Sequence, residues 1–158
     1  MTNNDVLRKI RYALNLSDDK MIKIFALSGK EADREEVSNY LKKDENPDFS
    51  TIGNPMFLSF LNGLIISKRG PSDKERDMKE KVSNNLIMKK LKIALSFSSE
   101  EMHEVFELSG IDVSKPELTS IFRAENHKNY KECGDRYLRN FLKGLAIKYR
   151  DEERTLEN

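Results

Sequence analysis

Apolar side chains recur at intervals of three and four residues along most of the chain, and the alternation typical of strands is essentially absent. The first half contains four such stretches: Val6 to Leu14, Met21 to Leu27, Val37 to Leu41, and Met56 to Ile65. The same four stretches follow in the second half. Because each has the spacing of an amphipathic helix, the pattern predicts an all-α protein.

Polar residues predict where several of these helices begin. Ser98 and Glu101 form the sequence signature of a capping box at the second helix of the second half, and Ser17 stands at the equivalent place in the first half. The third helices are predicted to begin at Asp33 and Ser114, each with a glutamate three positions later as its box partner. Those glutamates are Glu36 and Glu117.

The two halves are copies of one unit. Residues 3–69 align with residues 84–150 at a constant offset of 81 positions, without a gap, and 19 of the 67 pairs are identical. The sequence therefore predicts a tandem duplication of a four-helix unit of about 67 residues, packed as an intrachain pseudo-dimer. Because a unit of this size is near the lower limit for a self-supporting core, we expect the halves to depend on each other.

Composition changes along the chain suggest four segments. Residues 1–67 form the first helical repeat, 68–83 a charged linker, 84–150 the second repeat, and 151–158 an acidic tail. The first repeat carries 9 basic and 10 acidic side chains, whereas residues 83–150 carry 12 and 9. The second repeat is therefore the basic one. The linker is predicted to be helical after Pro71, where Glu75 and Lys79 have a favourable spacing.

The fourth helix of each repeat contains an interior glycine, Gly63 or Gly144. Glycine inside a helix costs about 1 kcal/mol relative to alanine, so a compensating contact is expected. We predict a close helix crossing at each glycine, with the two fourth helices meeting about a pseudo-twofold axis.

The chain has features of a cytoplasmic protein. No apolar run approaches the roughly 20 residues that span a bilayer, and the polar N-terminus lacks the apolar segment of a signal peptide. A single cysteine, Cys133, agrees with a reducing compartment. Two histidines and one cysteine without ligand spacing predict no metal site, and nothing in the sequence indicates a cofactor.

An enzyme reading has one candidate pair. His127 lies six residues before Cys133 in a polar segment, but no orienting group or oxyanion motif accompanies them. The alternative is that Cys133 is a small apolar residue in place of Ile52 in the first repeat. His103 replaces Ile22 and is expected to be a surface histidine.

A basic stripe is the most distinctive feature of the second repeat. Arg136, Arg139 and Lys143 fall at positions i, i+3 and i+7 of the fourth helix, opposite its apolar face. Their counterparts in the first repeat are not basic, so the fold itself does not require the charges. The stripe predicts either a solvated cationic face or a phosphate-binding surface. The full set of candidate binding residues is His127, Lys128, Tyr130, Arg136, Arg139, Lys143, Lys89 and Lys92.

Several strings resemble a known family. Residues Asn4 to Met21, Phe60 to Ile66, His127 to Asp135 and Leu138 to Leu145 are similar to the YehS-like family of small bacterial proteins. The resemblance covers both repeats. It implies a duplicated domain of bacterial cytosolic origin, and the family brings no established catalytic residue, cofactor or substrate.

Three hypotheses about function follow. The first is a non-enzymatic adaptor or regulatory protein that binds a macromolecular partner, expected to be a protein, through grooves between its repeats. The second is a protein that binds RNA or DNA through the basic face, with Tyr130 or His127 stacking on a base. An enzyme that uses His127 and Cys133 ranks last. A helix-turn-helix reading of the second and third helices is weak, because the presumed recognition helix opens with Arg34-Glu35-Glu36 and its acids would repel phosphates.

Overall fold

The structure of the chain, a computed structural model, describes residues 1–72 and 80–157, with the backbone alone for 151–157. The predicted helix around Glu75 and Lys79 lies outside the described residues. The helices are α1 (Asn3–Leu14), α2 (Asp18–Leu27), α3 (Arg34–Leu41), α4 (Asn54–Arg69), α5 (Asn84–Leu95), α6 (Ser99–Leu108), α7 (Lys115–Ile121) and α8 (Asp135–Glu157). The all-α prediction is confirmed, since no strand occurs within the described ranges. None of these helices is both long and apolar enough to cross a membrane.

The chain divides into two compact units, Met1–Val82 and Ser83–Asn158. Each unit contains four helices in the same order, and the second and fourth helices pack most extensively, α2 against α4 and α6 against α8. The aromatic centre of each core is equivalent. The Phe25 and Phe60 ring centroids lie 5.3 Å apart, and those of Phe106 and Phe141 lie 5.6 Å apart. All four rings are fully buried.

An asparagine clamp holds the loop between the third and fourth helices in each unit. In the first unit, the side-chain amide of Asn4 donates to the carbonyl oxygens of Tyr40 (3.0 Å) and Ser50 (2.9 Å), and its oxygen accepts from the Ile52 N–H (3.1 Å). Asn4 is buried, so these bonds satisfy loop groups that water does not reach. The clamp explains why the Asn-Asn pair at the start of α1 recurs.

The same clamp is present in the second unit. Asn85 donates to the carbonyl oxygens of Ile121 (3.0 Å) and Lys131 (2.8 Å) and accepts from the Cys133 N–H (2.8 Å). Its neighbour Asn84 donates to the Cys133 carbonyl oxygen at 3.0 Å. The loop before α8, which carries several candidate binding residues, is therefore held from its base by α5.

The predicted helix starts are confirmed. The hydroxyls of Ser17 and Ser98 accept the backbone N–H three residues on, and Glu101 returns the bond that completes the capping box at Ser98. Asp33 and Ser114 cap α3 and α7 in the same way.

The predicted boxes at α3 and α7 are incomplete, and each time a tyrosine is the reason. The Glu36 carboxylate accepts a bond from the Tyr40 hydroxyl at 2.9 Å instead of reaching back to its cap. The Glu117 carboxylate accepts from the Tyr137 hydroxyl at 3.2 Å. The Glu36 bond lies within α3 and the Glu117 bond joins α7 to α8, so neither glutamate closes its box, which corrects the prediction.

The second helix of each unit ends in a Schellman motif. Gly29 and Gly110 take positive φ angles of 86° and 85°. The following N–H groups bond back to the carbonyl oxygens of Phe25 (3.0 Å) and Phe106 (3.2 Å). This turn leaves the preceding leucine of each helix at the surface.

Close helix crossings occur at both interior glycines, but not with the predicted partner. A Cβ atom on Gly63 would overlap the carbonyl oxygen of Ile24 in α2, and one on Gly144 would overlap that of Val105 in α6. Each glycine therefore lets the fourth helix of its unit approach the second helix of the same unit. The predicted close crossing is confirmed at both glycines, and the second helix of the same unit is the partner there, which corrects the partner that the sequence predicted.

Candidate anion-binding surface of the second repeat

Three of the candidate residues form a stripe on α8. Arg136, Arg139 and Lys143, the α8 stripe, are all exposed, whereas Leu58 and Asn62, which replace Arg139 and Lys143 in the first repeat, are each 1% exposed. Arg139 attracts the Asp135 carboxylate one turn earlier, whereas Arg136 and Lys143 form no ion pair with any carboxylate whose position the structure describes. The stripe is therefore a solvated cationic face, and the side chains of the predicted acidic tail lie outside the described part of the chain.

His127 has a structural role in the turn before α8. Its Nδ1 atom accepts the Asn129 N–H at 2.9 Å, as Oδ1 of its counterpart Asn46 accepts the Asp48 N–H at 2.9 Å. The imidazole thus replaces an asparagine side chain within the same turn. The ring stays exposed, and its Nε2 atom lies 3.3 Å from Nη1 of Arg123.

Tyr130 lines an open concavity of about 580 Å³ along α7, which we name the α7 groove. Its ring is half-buried, and burial is the main reason that the pKa of its hydroxyl is raised, with the carboxylates of Glu125 and Glu132 adding to the rise. The hydroxyl therefore stays protonated and can donate a hydrogen bond. The lining residues are Lys115, Pro116, Thr119, Ser120, Arg123, Asn129 and Tyr130.

The remaining candidates lie elsewhere in the unit. Lys128 is exposed in the turn beside His127, and Lys89 is exposed on α5. The Lys92 ammonium lies 5.6 Å from the centroid of the Phe122 ring, so part of its charge faces an aromatic surface. The eight candidates thus come from α5, the 124–134 segment and α8.

The environment of Cys133 does not suit a nucleophile. The residue is 2% exposed, like its counterpart Ile52 at 1%, and its Sγ atom contacts the Gly134 carbonyl oxygen at 3.7 Å. Burial raises the pKa of the thiol to about 11, and the Asp135 carboxylate adds to the rise. At neutral pH the thiolate needed for attack is scarcely populated. His127 is exposed and engaged in its own turn, so this pair offers no catalytic dyad.

Two cations of the α7 groove, Lys115 and Arg123, are absent from the set predicted from the sequence. A second cavity of about 500 Å³ lies on the α6 side of α7, where Lys115 is also part of the lining. There His103 is half-buried and its Nδ1 atom lies 3.3 Å from Oε1 of Glu107. A position-by-position comparison of charged residues between the repeats would have indicated the groove, because several acids of the first repeat are missing from the second.

Comparison with known proteins identifies relatives but no activity. A family model described as a protein of unknown function (DUF1456) matches residues 3–70 and again residues 84–151. The uncharacterized protein YehS of Escherichia coli is 37% identical over 150 residues, which cover 94% of this chain and 96% of the relative. No solved structure matches the chain.

Proposed function

The chain belongs to the DUF1456 family, and because that family has no described activity, we propose from the residues themselves that it is a non-enzymatic adaptor or regulatory protein. The proposed partner is a macromolecule, in the first place a protein. The proposal includes a cytoplasmic location, supported by a lone cysteine that is buried and reduced.

One observation carries the proposal. Leu27 and Leu108 occupy equivalent positions at the ends of α2 and α6, and both are exposed, at 48% and 45%. A single exposed leucine is ordinary on a protein surface. Retention of the same exposed leucine in two repeats that differ at most positions supports a role outside the fold, namely a repeated apolar anchor for a partner.

Affinity capture from the native cytosol, with and without nuclease, tests this function. We expect a protein that remains bound after nuclease treatment and is lost from the variant Leu27→Asp/Leu108→Asp. The control is Ala26→Glu, which places beside Leu27 the charge that the second repeat already carries at Glu107. A partner retained equally by the double variant contradicts the proposed anchor.

A second candidate function is binding of RNA or DNA through the basic face of the second repeat. The α8 stripe favours it, because its three cations are exposed, and among the described side chains Arg139 alone attracts a carboxylate, that of Asp135. A cation without an ion-pair partner does not have to break a contact within the protein before it binds a phosphate group. The other proposed phosphate contacts are Lys89, Lys92 and Lys128, with His127 or Tyr130 stacking on a base.

Binding to labelled RNA and DNA fragments at about 50 mM salt tests the second candidate. We expect affinity that falls as salt rises, and a further loss in Arg136→Glu/Arg139→Glu. The matched control is Lys20→Glu/Lys30→Glu, which changes net charge equally at two exposed lysines of the first repeat. No binding at low salt, or equal loss in both variants, rules out the stripe as a specific surface.

A further inference from the structure

The α7 groove differs from its counterpart in the first repeat by the loss of its acids. Aligned by the offset of 81, Glu35 of the first repeat becomes Pro116 and Asp48 becomes Asn129, while the two cations of the lining are kept as Lys115 and Arg123. The first-repeat positions carry two basic and two acidic residues, and the groove carries two basic residues alone. The divergence therefore changes the local formal charge from zero to +2.

In the first repeat the equivalent cations are neutralised. The Arg34 guanidinium pairs with Asp19 and lies 3.8 Å from Oδ2 of Asp18. The Lys42 ammonium lies 3.8 Å from Oδ2 of Asp48 and donates to Oδ1 of Asn39 at 2.7 Å. Each cation of this first-repeat site therefore already has acceptors within the fold.

In the second repeat two of the three carboxylates are gone, and the third is kept as Glu100, which lines the second cavity together with Glu104, Glu107 and Lys115. Asp18 is replaced by Ser99, and Glu100, which replaces Asp19, makes no ion pair with Lys115 in the described structure. Arg123 has Asn129 where its counterpart had an aspartate, and its described polar neighbour is the His127 ring at 3.3 Å. Two cations thus border a concavity whose lining contains no carboxylate.

The shape of the α7 groove and its remaining lining residues limit which ligands it can bind. Lys115 is the first residue of α7 and Arg123 follows its last turn, so a ligand with more than one phosphate group can contact a cation at each end of the groove. The hydroxyls of Thr119 and Ser120 donate to backbone carbonyl oxygens at 2.9 and 2.8 Å, which leaves the cations, the Asn129 amide and the Tyr130 hydroxyl as donors to a ligand. The half-buried Tyr130 ring adds a surface on which a planar ring can stack.

We propose that the α7 groove binds a nucleotide with at least two phosphate groups, its phosphates between Lys115 and Arg123 and its base on Tyr130. The volume of about 580 Å³ is within the range of small-ligand sites. The nucleotide is either free, as a nucleoside diphosphate, or the 5′-phosphorylated end of a strand. The proposal does not depend on the α8 stripe or on the leucine anchor.

Isothermal titration calorimetry with ADP, a 5′-phosphorylated dinucleotide and pyrophosphate tests the site. The key variant is Pro116→Glu/Asn129→Asp, because it restores the acids that the first repeat carries and so suits this fold. We expect ADP or the dinucleotide to bind, and this variant to weaken that binding about tenfold or more. The tighter of the two ligands identifies the source of the nucleotide. A circular dichroism spectrum shows whether this variant folds. If it does not, Lys115→Gln/Arg123→Gln replaces it and is expected to weaken binding in the same way.

Two controls separate local from general effects. Lys20→Gln/Lys30→Gln removes the same net charge at exposed sites of the first repeat and is expected to bind like wild type. Lys9→Gln/Lys43→Gln removes two other exposed charges of the first repeat and is likewise expected to bind like wild type. The proposal is overturned if neither nucleotide binds at about 1 mM, if the groove variants bind as wild type does, or if pyrophosphate binds as tightly as ADP.

Discussion

Asn85 connects α5 to two segments that are distant in sequence, and its loss is expected to be costly. Asn85→Ala leaves two carbonyl oxygens and the Cys133 N–H without their partner in a buried site, so we expect a loss of about 2–4 kcal/mol in the free energy of unfolding. Urea denaturation, monitored by circular dichroism, measures this loss of unfolding free energy. Asn4→Ala is expected to cost a similar amount in the first repeat. The exposed Asn126→Ala should stay within about 0.5 kcal/mol, and equal stability of all three variants would contradict the clamp.

Removal of the Ser59 hydroxyl is expected to stabilise the protein, unlike removal of the Asn85 side chain. Its hydroxyl is fully buried in α4 and has no hydrogen-bond partner in the described structure. Ser59→Ala removes this unsatisfied group and adds a better helix former, so we expect a gain of about 1 kcal/mol in unfolding free energy. The comparison is Ser98→Ala, which breaks a capping box and is expected to lose about 1 kcal/mol. A loss of stability in Ser59→Ala would show that the hydroxyl is satisfied after all.

At the scale of elements, the crossing of α6 and α8 depends on a missing side chain. Gly144→Ala raises helix propensity, yet its Cβ atom would overlap the Val105 carbonyl oxygen, a backbone atom that cannot rotate away. We expect a net loss of about 2–3 kcal/mol in unfolding free energy. Thermal and urea unfolding measure it against Gly134→Ala, whose Cβ atom has open space and which should cost about 1 kcal/mol or less. Equal losses in the two variants would refute the close crossing.

Elements were predictable where the information is local. Apolar spacing located the helices, and Ser98 with Glu101 marked a box that forms as expected. The boxes at α3 and α7 failed because tyrosine hydroxyls compete for Glu36 and Glu117, and Tyr137 lies 20 residues away in sequence. No local pattern contains that competitor.

The partner of each interior glycine was not predictable for the same reason. The sequence showed that Gly63 and Gly144 needed a close neighbour, but spacing along one helix does not say which other helix packs there. The α8 stripe was predictable, since helical spacing alone places its residues on one face. The loss of acids around the α7 groove is visible in the alignment of the repeats, but its shape was not predictable, because its lining combines a helix with a loop held by Asn85 from a distant part of the chain.

At the scale of the whole molecule, the two repeats share their main packing features and differ in charge, including at two positions that are buried in the first repeat, Leu58 and Asn62, and exposed in the second, Arg139 and Lys143. The aromatic pairs, the asparagine clamps, the Schellman turns and the glycine crossings occur in both repeats. By contrast, 12 basic and 9 acidic residues in positions 83–150 replace the 9 and 10 of the first repeat. The added cations of the second repeat leave these shared features intact and alter what the repeat can bind, so the second repeat is where we expect anionic ligands.

Each repeat also contains one buried group that makes stability fall in alkali. The folded-state pKa of Cys133 is about 11 against an ordinary 9.0, and burial with the bond to Glu36 raises that of Tyr40 to about 12 from 10.0. Because these groups bind their protons more tightly in the folded state, their contribution to the free energy of unfolding is complete at a pH below the ordinary pKa. It is lost as pH rises toward the folded value, from 9 to 11 for Cys133.

We therefore expect the unfolding free energy to fall between pH 8 and pH 10.5 by less in Cys133→Val than in wild type, as measured by urea denaturation at both pH values. Valine is close in size to cysteine and does not titrate, so the difference between the two slopes isolates the thiol from the lysines that both proteins share. The reciprocal variant Ile52→Cys places a thiol at the equivalent buried site of the first repeat and should steepen the loss. Parallel slopes in all three proteins would mean that water reaches the Cys133 side chain. That result would contradict the burial that makes this thiol a poor nucleophile.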